Sequence, residues 1–214
     1  MREAVIQKIL KKKVIVNING VYGESCLKLA SALNKGGIEL ISITFDSKDN
    51  KACICAQETL QLLVRQLGHT VTFGASNLMN WKMVDMAKCA GAEFAISPDA
   101  NDAMILPVLE AGMVSIPGAL TPTEVIYAHN CGADFVNVFP ASSMGPAYFT
   151  NTHNVLKHIP LLAFGGINRN NVRLYMHGGS TGVCVDDCLY SAEQVANGEW
   201  EQITNEVFKF MQTI

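Results

Sequence analysis

Charge is scarce in this sequence. Only 16% of its residues are Asp, Glu, Lys or Arg, against about 25% in an ordinary globular chain. Aromatic residues are few as well, at 7%. The net charge is −3, and no basic stretch is longer than Lys11-Lys12-Lys13, which argues against a nucleic-acid partner. No run of about 18 apolar residues occurs, so no membrane-spanning helix is expected. The opening segment, Met1 to Leu10, has the period of an amphipathic helix with charges throughout, unlike a signal peptide. The cysteines, seven in all, include no Cys-x-x-Cys. Cys184 and Cys188 have no second pair of suitable spacing to complete a zinc site. Reduced, mostly buried thiols in a cytoplasmic protein are the expectation.

What the chain does have is apolar residues, 49% of its 214. That length suits one domain over 1–214 with a sizeable core. Short β-branched or apolar runs alternate with longer helical segments. Strands are expected at Val14–Ile18, Glu39–Phe45, Thr70–Phe73, Phe94–Ser97, Val114–Pro117, Phe135–Phe139, Leu161–Phe164 and Thr181–Val185. Between them the pattern predicts helices at Gly23–Lys35, Lys51–Leu67, Asn80–Cys89, Asp99–Glu110, Thr123–Asn130, Pro146–Lys157 and Asn170–His177, with Glu201–Met211 closing the chain. Thr121-Pro122-Thr123-Glu124 marks a helix start with a capping box. Glycines at Gly36, Gly91, Gly112, Gly132 and Gly178 mark helix ends. A βα unit repeated about eight times implies a parallel α/β sheet, and that number favours a TIM (β/α)8 barrel with an N-terminal helix over a doubly wound sheet. Met79, Met83 and Met86 are spaced like one side of a helix and are expected in the core.

Six segments, in order, carry a family resemblance. They are Gly36 to Phe45 (GGIELISITF), Gly74-Ala75-Ser76-Asn77, Gly91 to Pro98 (GAEFAISP), Ile116 to Glu124 (IPGALTPTE), Phe139-Pro140-Ala141 and Gly165-Gly166-Ile167. Together they resemble the 2-keto-3-deoxy-6-phosphogluconate / 4-hydroxy-2-oxoglutarate (KDPG/KHG) aldolases, class I enzymes on a TIM barrel, over nearly the whole chain. The resemblance implies retro-aldol cleavage of a 2-keto-3-deoxy or 4-hydroxy-2-keto acid to pyruvate and an aldehyde. It implies a carbon–carbon lyase that commonly assembles as a homotrimer, and no cofactor is expected. It also implies a substrate pocket at the C-terminal ends of the strands, built from Asn19, Ser42, Asp46, Asn77, Pro98, Pro117, Asn137, Phe139, Gly165, Gly166, Asp186 and Asp187.

The departures from the family fall in that pocket. The lysine that forms the Schiff base with pyruvate or the keto acid is Asn137 here. An amide nitrogen cannot attack a ketone, because its lone pair is delocalised. The proton-shuttling glutamate of the second strand is Ser42, a poor base near neutral pH. The threonine of a Gly-Ala-Gly-Thr turn is Asn77. Arginines found in some relatives are Asn19 and Asp46. The Gly-Ser half of the phosphate cradle is Asp186-Asp187, which would repel a phosphate, while Gly165-Gly166 remains.

Three readings follow. In the first, the barrel is a pseudo-enzyme whose mouth, lined by Asn17, Asn19, Ser42, Asn77 and Asn137, holds a small carbonyl or sugar-like ligand, or only satisfies its own polar groups. In the second, Lys48, in the loop after strand two, serves as a relocated Schiff-base lysine. In the third, Asp46, Asp186 and Asp187 converge on a divalent cation and support metal-assisted lyase chemistry. His153 and His158, five apart on an expected helix, do not share a face.

Overall fold

A computed structural model of the chain describes residues 2–214; Met1, the first residue of the expected N-terminal helix, lies outside them. Eight parallel strands close into a barrel in sequence order. They are β1 (Val14–Ile18), β2 (Leu40–Thr44), β3 (Thr72–Ser76), β4 (Phe94–Ser97), β5 (Val114–Ala119), β6 (Val136–Val138), β7 (Leu161–Phe164) and β8 (Gly182–Val185). Helix α1 (Arg2–Lys12) precedes the barrel. Around it run α2 (Gly23–Lys35), α3 (Asn50–Leu67), α4 (Trp81–Cys89), α5 (Asp102–Glu110), α6 (Pro122–Asn130), α7 (Ala141–Met144), α8 (Pro146–Val155), α9 (Val172–His177), α10 (Ala192–Asn197) and α11 (Trp200–Met211). The expected barrel with an N-terminal helix is the fold observed.

Strand parity divides the core in two. Alternate strand residues face opposite sides. Val14, Val16 and Ile18 of β1 pack outward with the helices. Ile15, Leu40, Phe94, Ile96, Val114, Ile116, Phe135, Leu162 and Cys184 fill the interior. Val5 and Ile9 of α1, one turn apart on one helix face, join this inner cluster and seal the barrel floor. Each such buried side chain contributes roughly 1.5–3 kcal/mol. The polar face of α1 fastens the plug. Arg2 donates to both Asp134 carboxylate oxygens, at 3.1 and 2.7 Å, and Asp134 Oδ2 also accepts from the Ser115 backbone N–H at 2.9 Å. Lys8 Nζ donates to Thr72 Oγ1 at 3.0 Å, and Lys12 pairs with Glu39.

The helix signals hold in detail at α6. Thr121 Oγ1 accepts from the Glu124 N–H at 3.3 Å, and Glu124 Oε2 accepts from the Thr121 N–H at 2.7 Å. The same Ser-x-x-Gln box, Ser191 and Gln194, starts α10, which had not been assigned, nor had α7. Three expectations are corrected. Strand three runs over Thr72–Ser76 rather than Thr70–Phe73, because Gly74 belongs to the strand and not to a turn. A Cβ there would lie 2.4 Å from the Phe94 ring, so the glycine makes room for an aromatic in the floor. Met79 precedes α4 and is exposed, while Met83 is buried and Met86 packs against the core. Helix α8 ends at Val155, which leaves His158 beyond it, its ring edge-on to His129 at 5.2 Å.

Gly74→Ala is therefore expected to cost about 1–3 kcal/mol through overpacking, read from urea denaturation midpoints. Placing it in a Phe94→Leu background should recover part of that loss. Strictly additive losses would show that the two positions do not compete for the same space.

Candidate functional site at the barrel mouth

Above the apolar floor the inward positions change character. On β1, β2 and β3 they are polar. Asn17 stands beside Ser42 in register, and Thr44 beside Ser76. Asn17 Oδ1 accepts hydrogen bonds from Ser42 Oγ at 3.1 Å, from Thr44 Oγ1 at 3.0 Å and from Ser76 Oγ. One carbonyl oxygen thus ties three strands together. The Tyr190 hydroxyl adds a bond to the Asn17 backbone carbonyl at 3.3 Å. Ser42, at 0% exposure, is spent in this hub.

On the opposite side the inward groups are Ile96 of β4, Gly118 of β5, Phe164 of β7 and Cys184 of β8, with Asn137 of β6 among them. A cavity of about 100 Å³ lies between the two sides, and Asn17, Ser76, Ser97 and Asn77 complete its wall with Pro98 and Phe139. No lining residue is Asp, Glu, Lys, Arg or His. Cys184 is the one lining group with a titratable thiol, and burial, followed by the nearby Asp186 carboxyl, pushes its pKa upward, so it stays a neutral thiol. Asn137 is 1% exposed, and its Oδ1 is the only buried side-chain N or O atom among the described residues without a hydrogen-bond partner.

The positions named from the sequence divide accordingly. Asn77, Pro98, Asn137 and Phe139 line the cavity. Asn77 adopts a left-handed φ of 60°, and its Nδ2 donates to the Phe45 carbonyl at 2.9 Å, joining the ends of β2 and β3. Phe139 leans on Phe164 with ring centroids 5.2 Å apart. Gly165 admits that arrangement, since a Cβ there would approach the Phe139 ring to 3.2 Å. Pro117 is buried on β5 in register with Ser97, but the β5 residue on the cavity wall is its neighbour Gly118. Asn19 is exposed after β1. A Cβ at Gly166 would lie 2.5 Å from the Ser142 side chain. Ser76, Ile96, Ser97, Gly118, Phe164 and Cys184 of the cavity wall, and Thr44 of the hub, were missed. A step of two residues along the strand from a recognised neighbour, as from Ser42 to Thr44, would have found some of them.

Placement lends no support to the relocated-lysine and metal readings. Lys48 is exposed in a turn outside the cavity, where its backbone N–H donates to Asp46 Oδ1 at 2.9 Å. Asp46 is therefore a turn cap. Among the described residues no three His, Cys, Asp or Glu side chains are grouped to hold a metal ion, so Asp46, Asp186 and Asp187 do not converge. Asp186 is half-buried after β8. Burial first, and the adjacent Asp187 carboxylate second, raise its pKa. A larger groove, of about 850 Å³, lies outside the barrel among Leu27, Lys28, Gln66, Trp200 and Glu201 and shares no residue with the mouth. No helix among the described residues is long and apolar enough to cross a membrane.

Comparison with known proteins gives consistent findings. A family model described as KDPG and KHG aldolase matches residues 5–206. The 2-dehydro-3-deoxy-phosphogluconate aldolase of Treponema pallidum is 28% identical over 185 residues, covering 85% of this chain and 83% of that one. Among solved structures, the KDPG aldolase of Legionella pneumophila, with pyruvate captured as a covalent carbinolamine intermediate, superposes with a TM-score of 0.80 at 25% identity over 92% of each chain. A native KDPGal structure superposes with a TM-score of 0.83 at 23% identity over 94% of this chain and 93% of that one.

The raised pKa of Asp186 has a definite sign. Folding favours the neutral acid, so the group's stabilising contribution is complete below its unfolded pKa and is lost as pH rises through the folded one. Asp186→Asn should leave the melting temperature nearly unchanged at pH 4 and raise it above wild type by an amount that grows toward pH 7, measured by scanning calorimetry. An advantage that shrinks as pH rises would mean that a donor holds Asp186 ionised.

Proposed function

The chain belongs to the KDPG and KHG aldolase family, and on that premise we propose that it keeps the family's barrel and pocket without the class I Schiff-base route through residue 137, and binds a small carbonyl or sugar-like ligand there. The observation that carries this reading is Asn137 itself. It sits on β6, buried, on the wall of the mouth cavity, with an unpaired oxygen directed at no protein group. An amide there donates and accepts hydrogen bonds but forms no imine.

The surroundings support the same reading. A Schiff-base mechanism needs a group to move protons at the carbon next to the carbonyl. At the family's glutamate position stands Ser42, whose hydroxyl is bonded to Asn17 and shielded from the cavity. No lysine lines the cavity to stand in for residue 137. The Legionella relative holds pyruvate covalently. The cavity of this chain is lined by amides, hydroxyls, the neutral Cys184 thiol and apolar walls.

Borohydride reduction in the presence of pyruvate, followed by peptide mass spectrometry, tests the proposal. The wild-type chain is expected to carry no added mass on any lysine, and Asn137→Lys is expected to gain a pyruvyl adduct at position 137. An adduct on any wild-type lysine would overturn the reading and identify the nucleophile.

A further inference from the structure

The groove of about 850 Å³ outside the barrel lies where α2, the end of α3 and the start of α11 meet. Its size is that of a small-molecule site, roughly 300–1,000 Å³. Helix packing gives it its shape. Thr204 Oγ1 of α11 donates to the Ala32 carbonyl of α2 at 3.1 Å. Further along, Gly36 admits Val207, since a Cβ there would lie 2.5 Å from the valine side chain. The two helices therefore touch at these levels and run in the same direction. One turn earlier on each stand Lys28 and Trp200, and both line the groove. Ser31 and Ala32, on the same wall, are too short to fill the space.

The lining offers three kinds of group. Trp200, Leu27 and Leu67 are partly buried, each packed against the core on one side and facing the groove on the other. Gln66 and Asn205 are exposed amides, able to donate and to accept. Lys28 and Lys35 lie seven residues apart on α2, which is two turns on one face, about 10 Å along the axis. The ion pairs among the described residues are made by Arg2, Lys8, Lys12 and Lys209, so neither groove lysine is engaged. Glu201 is the one acid on the wall, and the lining carries two positive charges against one negative. In a chain of net charge −3, that is a local reversal of sign.

A ligand that uses all three carries a flat ring, polar atoms at the ring edge and an anionic group. An indole face takes an aromatic ring by stacking, and does so for any nucleobase. Lysine ammonium groups hold phosphate by charge-assisted hydrogen bonds. We infer that the groove binds a nucleoside monophosphate, with its base against Trp200, the base edge toward the Gln66 and Asn205 amides, and its phosphate held by the α2 lysines. The groove shares no residue with the mouth, so this site stands independently of the binding function proposed above.

The probes are AMP, adenosine, which keeps the base without the charge, and ribose 5-phosphate, which keeps the charge without the base. Each is titrated into the full chain by calorimetry. AMP should bind at least about tenfold more tightly than either of the others, since each of those lacks one of the two main contacts. Lys28→Gln combined with Lys35→Gln should weaken AMP about fivefold and leave adenosine unchanged. Both lysines are exposed, so the fold is not at stake in that variant. The site itself is read from fluorescence. The sequence has two tryptophans, and Trp81, 62% exposed and outside the groove, can be replaced. In Trp81→Phe, AMP should quench the remaining Trp200 emission with the midpoint seen by calorimetry. No AMP binding, adenosine or ribose 5-phosphate binding as tightly as AMP, undiminished AMP affinity in the double lysine variant, or AMP binding that leaves Trp200 emission unchanged would each overturn the inference.

Discussion

Closing eight parallel strands into a barrel fixes which residues face the axis, because alternate side chains have nowhere else to go. In this chain one end of that interior is sealed by Val5 and Ile9 of α1, over a floor of Phe94, Phe135, Ile15 and Leu162. The axis is therefore apolar at one end, and inward polar groups collect at the other. The site is a consequence of this stratification. Its depth is set by where the floor stops, and its chemistry by the next inward residue on each strand.

Those next residues divide into two unequal sides. From β1 to β3 they form a closed network around a single oxygen, that of Asn17. A satisfied polar network in a low-dielectric interior rigidifies its members and fixes their orientation. The other side, from β4 to β8, is mostly apolar, and its one amide, Asn137, has no such network. Both asparagines are buried amides, yet their roles differ because their neighbours differ. Asn17 is held in place by three hydroxyls, and Asn137 is held only by its strand, in register with Gly118 and Leu162.

Most of the fold was legible in the sequence. Strand runs such as Phe94–Ser97 and Leu161–Phe164, and starts such as Thr121-Pro122-Thr123-Glu124, state their structure locally. The failures were those in which a residue's reason lies elsewhere in the chain. Gly74 reads as a turn until the Phe94 ring is placed against it. Pro117 sits at the correct strand end, but Gly118 is the one on the cavity wall, a parity that only barrel closure fixes. Ser42 reads as a pocket residue, and the register places it beside Asn17 in the hub. Asp46, Asp186 and Asp187 read as three acids near one mouth, but the three do not gather into a metal-holding group among the described residues. The strand-end residues Asn77, Pro98, Asn137 and Phe139 were placed at the mouth because position along a parallel strand already specifies height in the barrel.

The uncharged side chain at position 137 is matched by its uncharged surroundings. A lysine there would sit against Ile96, Phe164 and Cys184 on one side and a hub of hydroxyls on the other, with no carboxylate on the cavity wall to balance or receive its proton. Burial without a partner disfavours the charged amine. A glutamate at position 42 would likewise bring an ionised group into space now filled by three hydroxyls that all donate to Asn17. A buried amine and a buried acid side by side offset each other's burial, whereas either alone is left without a partner charge. A pocket without either is electrostatically self-consistent, and its remaining unmet demand is a single hydrogen bond at Asn137 Oδ1. The uncharged mouth is thus one coherent physical state of the barrel, and a lysine placed alone at position 137 would stand in it without a partner charge.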